Sequence, residues 1–484
     1  MNLTIDPWIP ALRANGRREL FSLQDLFAQA HELRDLAVKP HERIALMRLL
    51  LCITQAALDG PADEDAWEQC QPLIQPRVRA YLDKWRGSFE LFGNGQRFLQ
   101  VKPGVVASSM PVMEKEGITR LNLSMASGES NATLFDNAAS DDREFSDSQS
   151  ALSLLTYQCY SPLLGRGYKG RSPCADNSML HTLLLGTTIL ATLRMNLLTR
   201  ETCDGCYDPH GMGRPLWEVW NSGKPSKKDE EILTQSYLGR LVPLARSVWL
   251  ESQTAMSLAN GLIYDGFLDS GFREATATVV SNKTKLWILK ARTDKAIWRE
   301  LASVCVKIRQ TDGVSGPLAF RNLLPETDIV IWSGGLISDQ AKIQDAIEAV
   351  YSLPAGMFND MGRAAYERGV KHADEADQAL WKAVNAYAKS LKIDKPAYDK
   401  ARQQFWTHVE QNLSCLIDLA RNIDLVADLP KCAWGKSVHS AATAAYEQSC
   451  PRQSPRQIEA YALGLRRLNF RPKVNQPTTN TAHE

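Results

Sequence analysis

The chain reads as an α+β protein: a large mixed α/β N-terminal domain over residues 1–360, then a C-terminal four-helix bundle over 361–470. Three observations predict this. Alternating apolar runs interrupted by turn residues occur only before residue 340, as at Ala275-Thr276-Ala277-Thr278-Val279-Val280 and Ile329-Val330-Ile331-Trp332. Beyond Met361 the apolar residues recur at helical spacing alone, in the stripes Trp381/Val384/Ala388/Leu391, Phe405/Val409/Leu413/Leu416/Ala420 and Ile458/Tyr461/Leu465/Leu468. Finally, 484 residues with 44% hydrophobic content exceed what one core usually supports.

In chain order, Met1 to Pro10 suggests a short strand with Leu3 and Ile5 alternating, and Ser22 an N-cap for a helix through Leu23, Leu26 and Phe27. A strong helix is expected over Glu42–Ala57, with Ile44, Met47, Leu50 and Leu51 on one face, and another over Leu73–Trp85. The Asn/Gly turn between the aromatic runs of Phe89–Gln100 suggests a hairpin. Residues 124–150 form a long polar loop, with the apolar pair Leu134-Phe135 inside it and five acids between Asp136 and Asp147. Thr182–Leu198 reads as a buried core helix; Gly186, Arg194 and Asn196 argue against a membrane span. Strands are expected around Ile263, Ala275–Val280 and Leu286–Leu289, and a helix over Trp298–Arg309. The strand Asp328–Trp332 runs into a glycine break at Gly334-Gly335. Leu336–Lys342 is then a polar tip, or alternatively a helix N-cap at Ser338 or Asp339. Val438–Tyr446 completes the bundle, and 471–484 is a polar tail expected to be disordered.

With 56 basic and 55 acidic residues the net charge is +1, so any nucleic-acid surface has to be a local patch. One such patch stands out. Gly165-Arg166-Gly167-Tyr168-Lys169-Gly170-Arg171 combines glycines, cations and an aromatic, and Ser148–Ala175 contains no acid. Glycine allows close backbone approach, Arg and Lys neutralise phosphate, and Tyr can stack. Its Gly165-x-Gly167-x-x-Gly170 spacing also matches a dinucleotide fingerprint, but Arg171-Ser172-Pro173 does not open a helix and no acid follows about 20 residues on. Cys203-x-x-Cys206 with His210 has the spacing of a zinc half-site, yet a closed site needs four ligands and no second pair lies nearby. The ten scattered cysteines suit a reducing compartment, and the N-terminus lacks a signal pattern, so the expected location is cytoplasmic.

The ordered set Met1-Asn2-Leu3-Thr4-Ile5-Asp6-Pro7-Trp8-Ile9-Pro10, Phe135/Asn137, Pro162–Lys169, Tyr264-Asp265-Gly266-Phe267-Leu268 and Gly334-Gly335 followed by Gln340-Ala341 resembles the large subunit (CasA family) of the type I-E CRISPR Cascade complex. The resemblance implies a subunit without catalytic activity or cofactor. It implies placement at the 5′ handle of the crRNA, beside the backbone subunit CasC, CasD and the small subunit CasB. It further implies recognition of the PAM in double-stranded target DNA, initiation of strand separation, and a docking surface for the helicase-nuclease. Carried over by position, it assigns RNA contact to Phe135, Asp136 and Asn137, and DNA contact to Gly165, Arg166, Gly167, Lys169, Asp339 and Gln340. Two departures stand out. Leu163, Leu164 and Arg166 occupy positions where the family is richer in glycine, and Gly271 stands where the family has a DNA-reaching lysine, leaving Arg273 as the candidate replacement. A competing reading is a metal-dependent hydrolase built on Cys203, Cys206 and His210, which metal analysis would separate from the first.

Overall fold

A computed structural model describes residues 1–103, 114–124, 143–161, 170–175, 178–220, 225–281, 285–307, 313–323, 327–339 and 342–468. The chain divides into two compact units, Met1–Leu324 with Ile329–Ser352, and Pro325–Asp328 with Leu353–Glu484.

The first unit is built around the helix Pro40–Leu58, which starts on a proline that needs no N–H partner and ends at Asp59 in a left-handed conformation. The sequence suggests one apolar face. In the fold the helix is buried on every side from Ile44 to Gln55, because Ala45, Leu46, Leu49, Cys52 and Ile53 fill the other faces. That encirclement buries Arg48, which is satisfied internally: its Nη1 lies 2.6 Å from Glu274 Oε2 and its Nε donates to Leu241 O. Arg240 donates to the other carboxylate oxygen and to Asp265 O. Burial opposes the Glu274 charge, but the Arg48 and Arg240 guanidiniums outweigh it and hold the carboxyl below its ordinary range.

Among the described residues the strands of this unit pair into four small sheets. The N-terminal one orders Arg18–Phe21, Ile9–Arg13 and Leu33–Leu36. Its strand begins at Ile9 rather than near Leu3, because Asn2 knits the preceding residues into a turn: its Oδ1 accepts from Thr4 N and its own N–H donates to Asp6. Ser22 caps the helix Leu23–Gln29 as expected, accepting from Asp25 N.

Thr182–Leu198 is not a single helix. His181–Leu185 is a strand, and after Gly186 the chain starts the short helix Ile189–Met195, capped by Thr188. A Cβ on Gly186 would sit 2.4 Å from Ala191 Cβ, so the sharp reversal needs glycine there, while Asn196 bonds both N–H and C=O of Leu184. The expected hairpin at Phe89–Gln100 reduces to an isolated bridge between Glu90 and Arg97, since Arg97 donates instead to Gly93 O and Leu250 O. Among the described residues, regular pairing near 275–289 is confined to Val279–Ser281 with Leu286–Ile288, and helix in the 298–307 stretch to the one-turn segments Ile297–Glu300 and Leu301–Val304.

The second unit is helical. Asp360–Leu391, capped by Asn359 and ending at left-handed Lys392, packs against Tyr398–Glu410, Leu413–Arg421, Ala433–Ser449 and Pro455–Leu468. Phe405, Val409, Leu416 and Ala420 are buried as their stripe suggests, but Trp381 and Ile458 are 50% and 55% exposed. The last helix approaches through Gly464 instead, where a Cβ would lie 1.9 Å from Tyr446 Oη and 2.7 Å from Ala383 O. A small residue makes the close contact, and the large ones on the neighbouring stripe are left outside.

Candidate nucleic-acid interface

The Gly165–Arg171 loop is described only at its base; Gly165, Arg166, Gly167 and Lys169 lie outside the described residues. Both stems are firmly held. Ser172 N donates to Ser161 O, so the two ends of the loop are clasped together. Gly170 has φ +132°, and a Cβ there would lie 2.3 Å from Ala245 O and 2.7 Å from Arg246 Nη1, so only glycine fits. Arg171 N bonds Leu262 O, Arg171 O accepts from Tyr264 N, and the Arg171 side chain pairs with Asp269. The fold therefore joins two stretches that lie far apart in the sequence: the loop base and Tyr264–Leu268. Tyr264 is fully buried and its hydroxyl accepts from Leu244 N, which anchors this turn. Leu268 points outward at 53% exposure, and Gly271 is left-handed at φ +78° with open space where a side chain would begin.

Arg273 is turned inward. It is 9% exposed, and its guanidinium donates to the Ser315 hydroxyl, to Gly316 O at 2.6 Å and to Ala277 O at 3.3 Å. Burial pulls its pKa down to about 10. These bonds fasten the 315–316 segment to 273–277, and a side chain so engaged has no reach toward DNA; its candidacy as the replacement cation is withdrawn.

The glycine pair behaves differently from a break. Ile329–Asp339 is one continuous strand whose partners are Lys342–Leu353 on one side and His181–Leu185 on the other, with Gly334 opposite His181. A Cβ on Gly335 would lie 2.5 Å from Met179 O and 2.9 Å from Ala291 Cβ; one on Gly334 would meet Trp332 at 2.6 Å and Ile347 O at 2.7 Å. The glycines let neighbouring backbone press onto the strand. Beyond them, Ser338 N donates to Ser178 Oγ at 2.9 Å, and the same hydroxyl donates to Ser338 O at 3.2 Å. No helix follows, so the N-cap reading of Ser338 and Asp339 is replaced by a hairpin. Gln340 lies between its two strands, outside the described residues, as does the side chain of Asp339.

Ser178, left-handed at φ +60°, is the junction. Its carbonyl accepts from Ala291 N, and the bridge from Met179 to Lys290 ties in a further element. That element walls a groove of about 650 Å³ lined by Leu268, Trp287 and the cations Lys285, Lys290, Arg292 and Lys295. Glu300 is the acid in its lining and pairs with Lys295, while Arg292 pairs with Asp294. Sequence reading missed this groove, although the signal was present: between Lys283 and Lys295 stand five cations and, besides Asp294, no acid, on a stretch noted only for its strand alternation.

The hydrolase reading finds no support. Among the described residues no group of three or more His, Cys, Asp or Glu side chains is placed to hold a metal ion. Cys203 is buried, and burial pushes its thiol well above the ordinary value; Cys206 Sγ faces Arg321 Nη2 at 3.3 Å, a cation where a metal would need its ligand free. Phe135, Asp136 and Asn137 lie outside the described residues. No described helix is long and apolar enough to cross a membrane.

Comparison with known proteins follows the same outline. The family model described as CRISPR-associated protein Cse1 matches residues 2–445. The CRISPR-associated protein CasA/Cse1 of Thermus thermophilus is 28% identical over 421 residues, covering 81% of this chain and 78% of the relative. Among solved structures, Cse1 of Thermobifida fusca superposes with a TM-score of 0.76 at 19% identity, covering 97% of this chain and 98% of that one. Thermus thermophilus CasA superposes with a TM-score of 0.73 at 22% identity, covering 97% and 99%. A chain of a CRISPR RNA-guided surveillance complex gives 0.70 at 18% identity, covering 97% and 99%. The chain belongs to the CRISPR-associated Cse1 family, the CasA family of large subunits that its ordered motifs resemble.

Proposed function

We propose that this chain is the non-catalytic large subunit of a type I-E CRISPR surveillance complex, that it reads the PAM of double-stranded DNA, and that it starts the unwinding which lets the crRNA pair. The observation that carries the proposal is the junction at Ser178, where a stiff hairpin ending at Asp339–Gln340 and a cation-lined groove share hydrogen bonds a few residues from the clasped base of the Gly165–Gly170 loop. Such a junction holds phosphate-neutralising groups in fixed register with the two strands that lead to Gln340, which is what parting a base step beside a bound duplex requires.

In this reading Lys285, Lys290 and Arg292 track the duplex backbone, and Arg166 and Lys169 meet it at the minor groove, with Gly165 and Gly167 allowing close approach. Gln340 wedges the first step. An amide offers both donors and an acceptor to exposed base edges, whereas the Asp339 carboxylate beside it only accepts and repels phosphate. Opening a step costs a few kcal/mol, after which guide pairing roughly balances the lost DNA pairing, so a small bias at the first step decides whether zipping begins. Phe135, Asp136 and Asn137 contact the crRNA 5′ handle, the phenyl ring by stacking and the amide through base edges. The assembled complex then offers a face of this subunit to the helicase-nuclease. Co-purification with the other Cascade subunits followed by selection from a randomised PAM library tests the proposal: enrichment of a short motif on one side of the target is expected, and assembly without any enrichment would refute PAM reading.

A further inference from the structure

A second concave site lies in the first unit, on the stretch that replaces the expected Phe89–Gln100 hairpin. It encloses about 240 Å³ and is walled by Trp217, Trp220 and Trp249 with Phe98 behind; Arg97 and Lys102 stand at its edge. No Asp or Glu is among its described lining residues. The Arg97 guanidinium lies 3.7 Å from the centroid of the Trp249 ring, a stacked cation and aromatic plane. Phe98, Leu99 and Trp217 are buried, whereas Trp220 and Trp249 are half-buried. The two glutamine amides of the lining are committed to the wall: Gln96 Nε2 donates to Trp220 O, Gln100 Nε2 to Leu91 O, and Gln100 Oε1 accepts from Leu250 N; Asn94 also lines the pocket.

We infer that this pocket takes one unstacked nucleotide of a single-stranded nucleic acid, its base against Trp220 and the stacked Arg97–Trp249 pair and its phosphate toward Lys102. The volume falls below the usual ~300–1,000 Å³ of small-molecule sites, which suits one ring system better than a whole cofactor. Aromatic planes with cations and no acids are the composition that binds single strands through the π-face of any base. With both glutamine amides spent on the fold, the site meets a base mainly through its π-face, which carries little base preference. The strand is either the guide RNA or the displaced DNA strand; both present the same chemistry.

The test uses the full-length chain and fluorescein-labelled oligonucleotides of dT and rU, read by anisotropy. Trp249→Ala should weaken binding about tenfold, the scale of one base–aromatic stack, and Trp249→Phe far less. Lys102→Glu, at an exposed position, should weaken it without touching the core. Loss on dT points to the displaced strand and loss on rU alone to the guide; either supports the inference. Lys395→Ala, which removes an exposed cation that neither site uses, should leave both oligonucleotides bound as before, which separates this site from general charge attraction. Unchanged affinity for both oligonucleotides in Trp249→Ala and Lys102→Glu overturns the inference. So does a Trp249→Ala chain that binds them normally but fails to join the other subunits, since the pocket would then hold a side chain of a partner protein.

Discussion

Replacing Gly335 with alanine tests whether the position of the hairpin, and not only its sequence, sets the rate of duplex opening. The added Cβ would begin 2.5 Å from Met179 O and 2.9 Å from Ala291 Cβ, neither of which is a flexible side-chain end. Restoring an ordinary contact of 3.4 Å to the carbonyl requires the strand to retreat by about 0.9 Å. Three residues on, the two bonds between Ser338 and Ser178 are 2.9 and 3.2 Å long and do not survive such a shift. Overpacking costs roughly 1–3 kcal/mol and the lost bonds about 1 kcal/mol more. Only about 1.4 kcal/mol of this, felt at the opening step, slows the rate tenfold. The assay is R-loop formation by the assembled complex on a fully paired target and on one carrying a mismatched bubble beside the PAM. Gly335→Ala should be slowed at least tenfold on the first and little on the second. Gly16→Ala is the control: Gly16 has φ +82° with nothing within 4 Å, so alanine strains the turn between Ile9–Arg13 and Arg18–Phe21, in a different sheet from the hairpin. If Gly16→Ala and Gly335→Ala slow the paired target equally at equal loss of stability, register of the hairpin is irrelevant and the reasoning fails.

Lys290→Ala and Arg292→Ala in the groove, and Arg166→Ala and Lys169→Ala on the loop, should each lower the salt slope of duplex binding by about 1, with only Arg166→Ala altering PAM preference; filter binding at several salt concentrations and the PAM library separate the two effects. Phe135→Ala should release the subunit from the complex without lowering its melting temperature, seen as loss of co-purification with an unchanged melt. Two buried histidines set a pH dependence: burial, with Lys39 adding, pulls His41 from 6.5 to about 4, and burial followed by Arg48 pulls His181 from 6.5 to about 3. Both are neutral in folded and unfolded chains above pH 6.5; below it the unfolded chain takes up protons first, so stability is lost as pH falls toward 4 and then 3. At about pH 5 the two together cost about 4 kcal/mol. Urea midpoints at about pH 7 and about pH 5 should differ strongly in the wild type and much less in His41→Gln/His181→Gln.

The second unit is legible where helices are long, because several turns of an amphipathic repeat leave one reading: Val384 and Ala388 are buried on Asp360–Leu391, whereas the stripe from Phe405 to Ala420 spans two shorter helices that break at Gln411–Asn412. Thr182–Leu198 splits into strand and helix although its apolar content suggests one helix, because the deciding features, the contact of Gly186 with Ala191 and the bonds of Asn196 to Leu184, depend on the fold. Gly334-Gly335 illustrates the same limit: a glycine pair reads as a break, while here it admits Met179, Ala291 and Ile347 against a continuous strand. Arg273 looked available because it is charged and close in sequence to Gly271, but Ser315 and Gly316 come from a distant part of the chain to enclose it. The junction at Ser178 had no sequence signature at all. A lone serine becomes informative only when Ser338 and Ala291 are seen to converge on it.

The central claim, that Gln340 at the end of this hairpin opens the duplex, is tested most directly by the rate of R-loop formation in a complex carrying Gln340→Ala. The account predicts a large slowing on fully paired targets and near wild-type rates when a bubble beside the PAM is opened in advance. Equal impairment on both substrates would contradict it, placing Gln340 in binding and leaving strand separation to another part of the molecule.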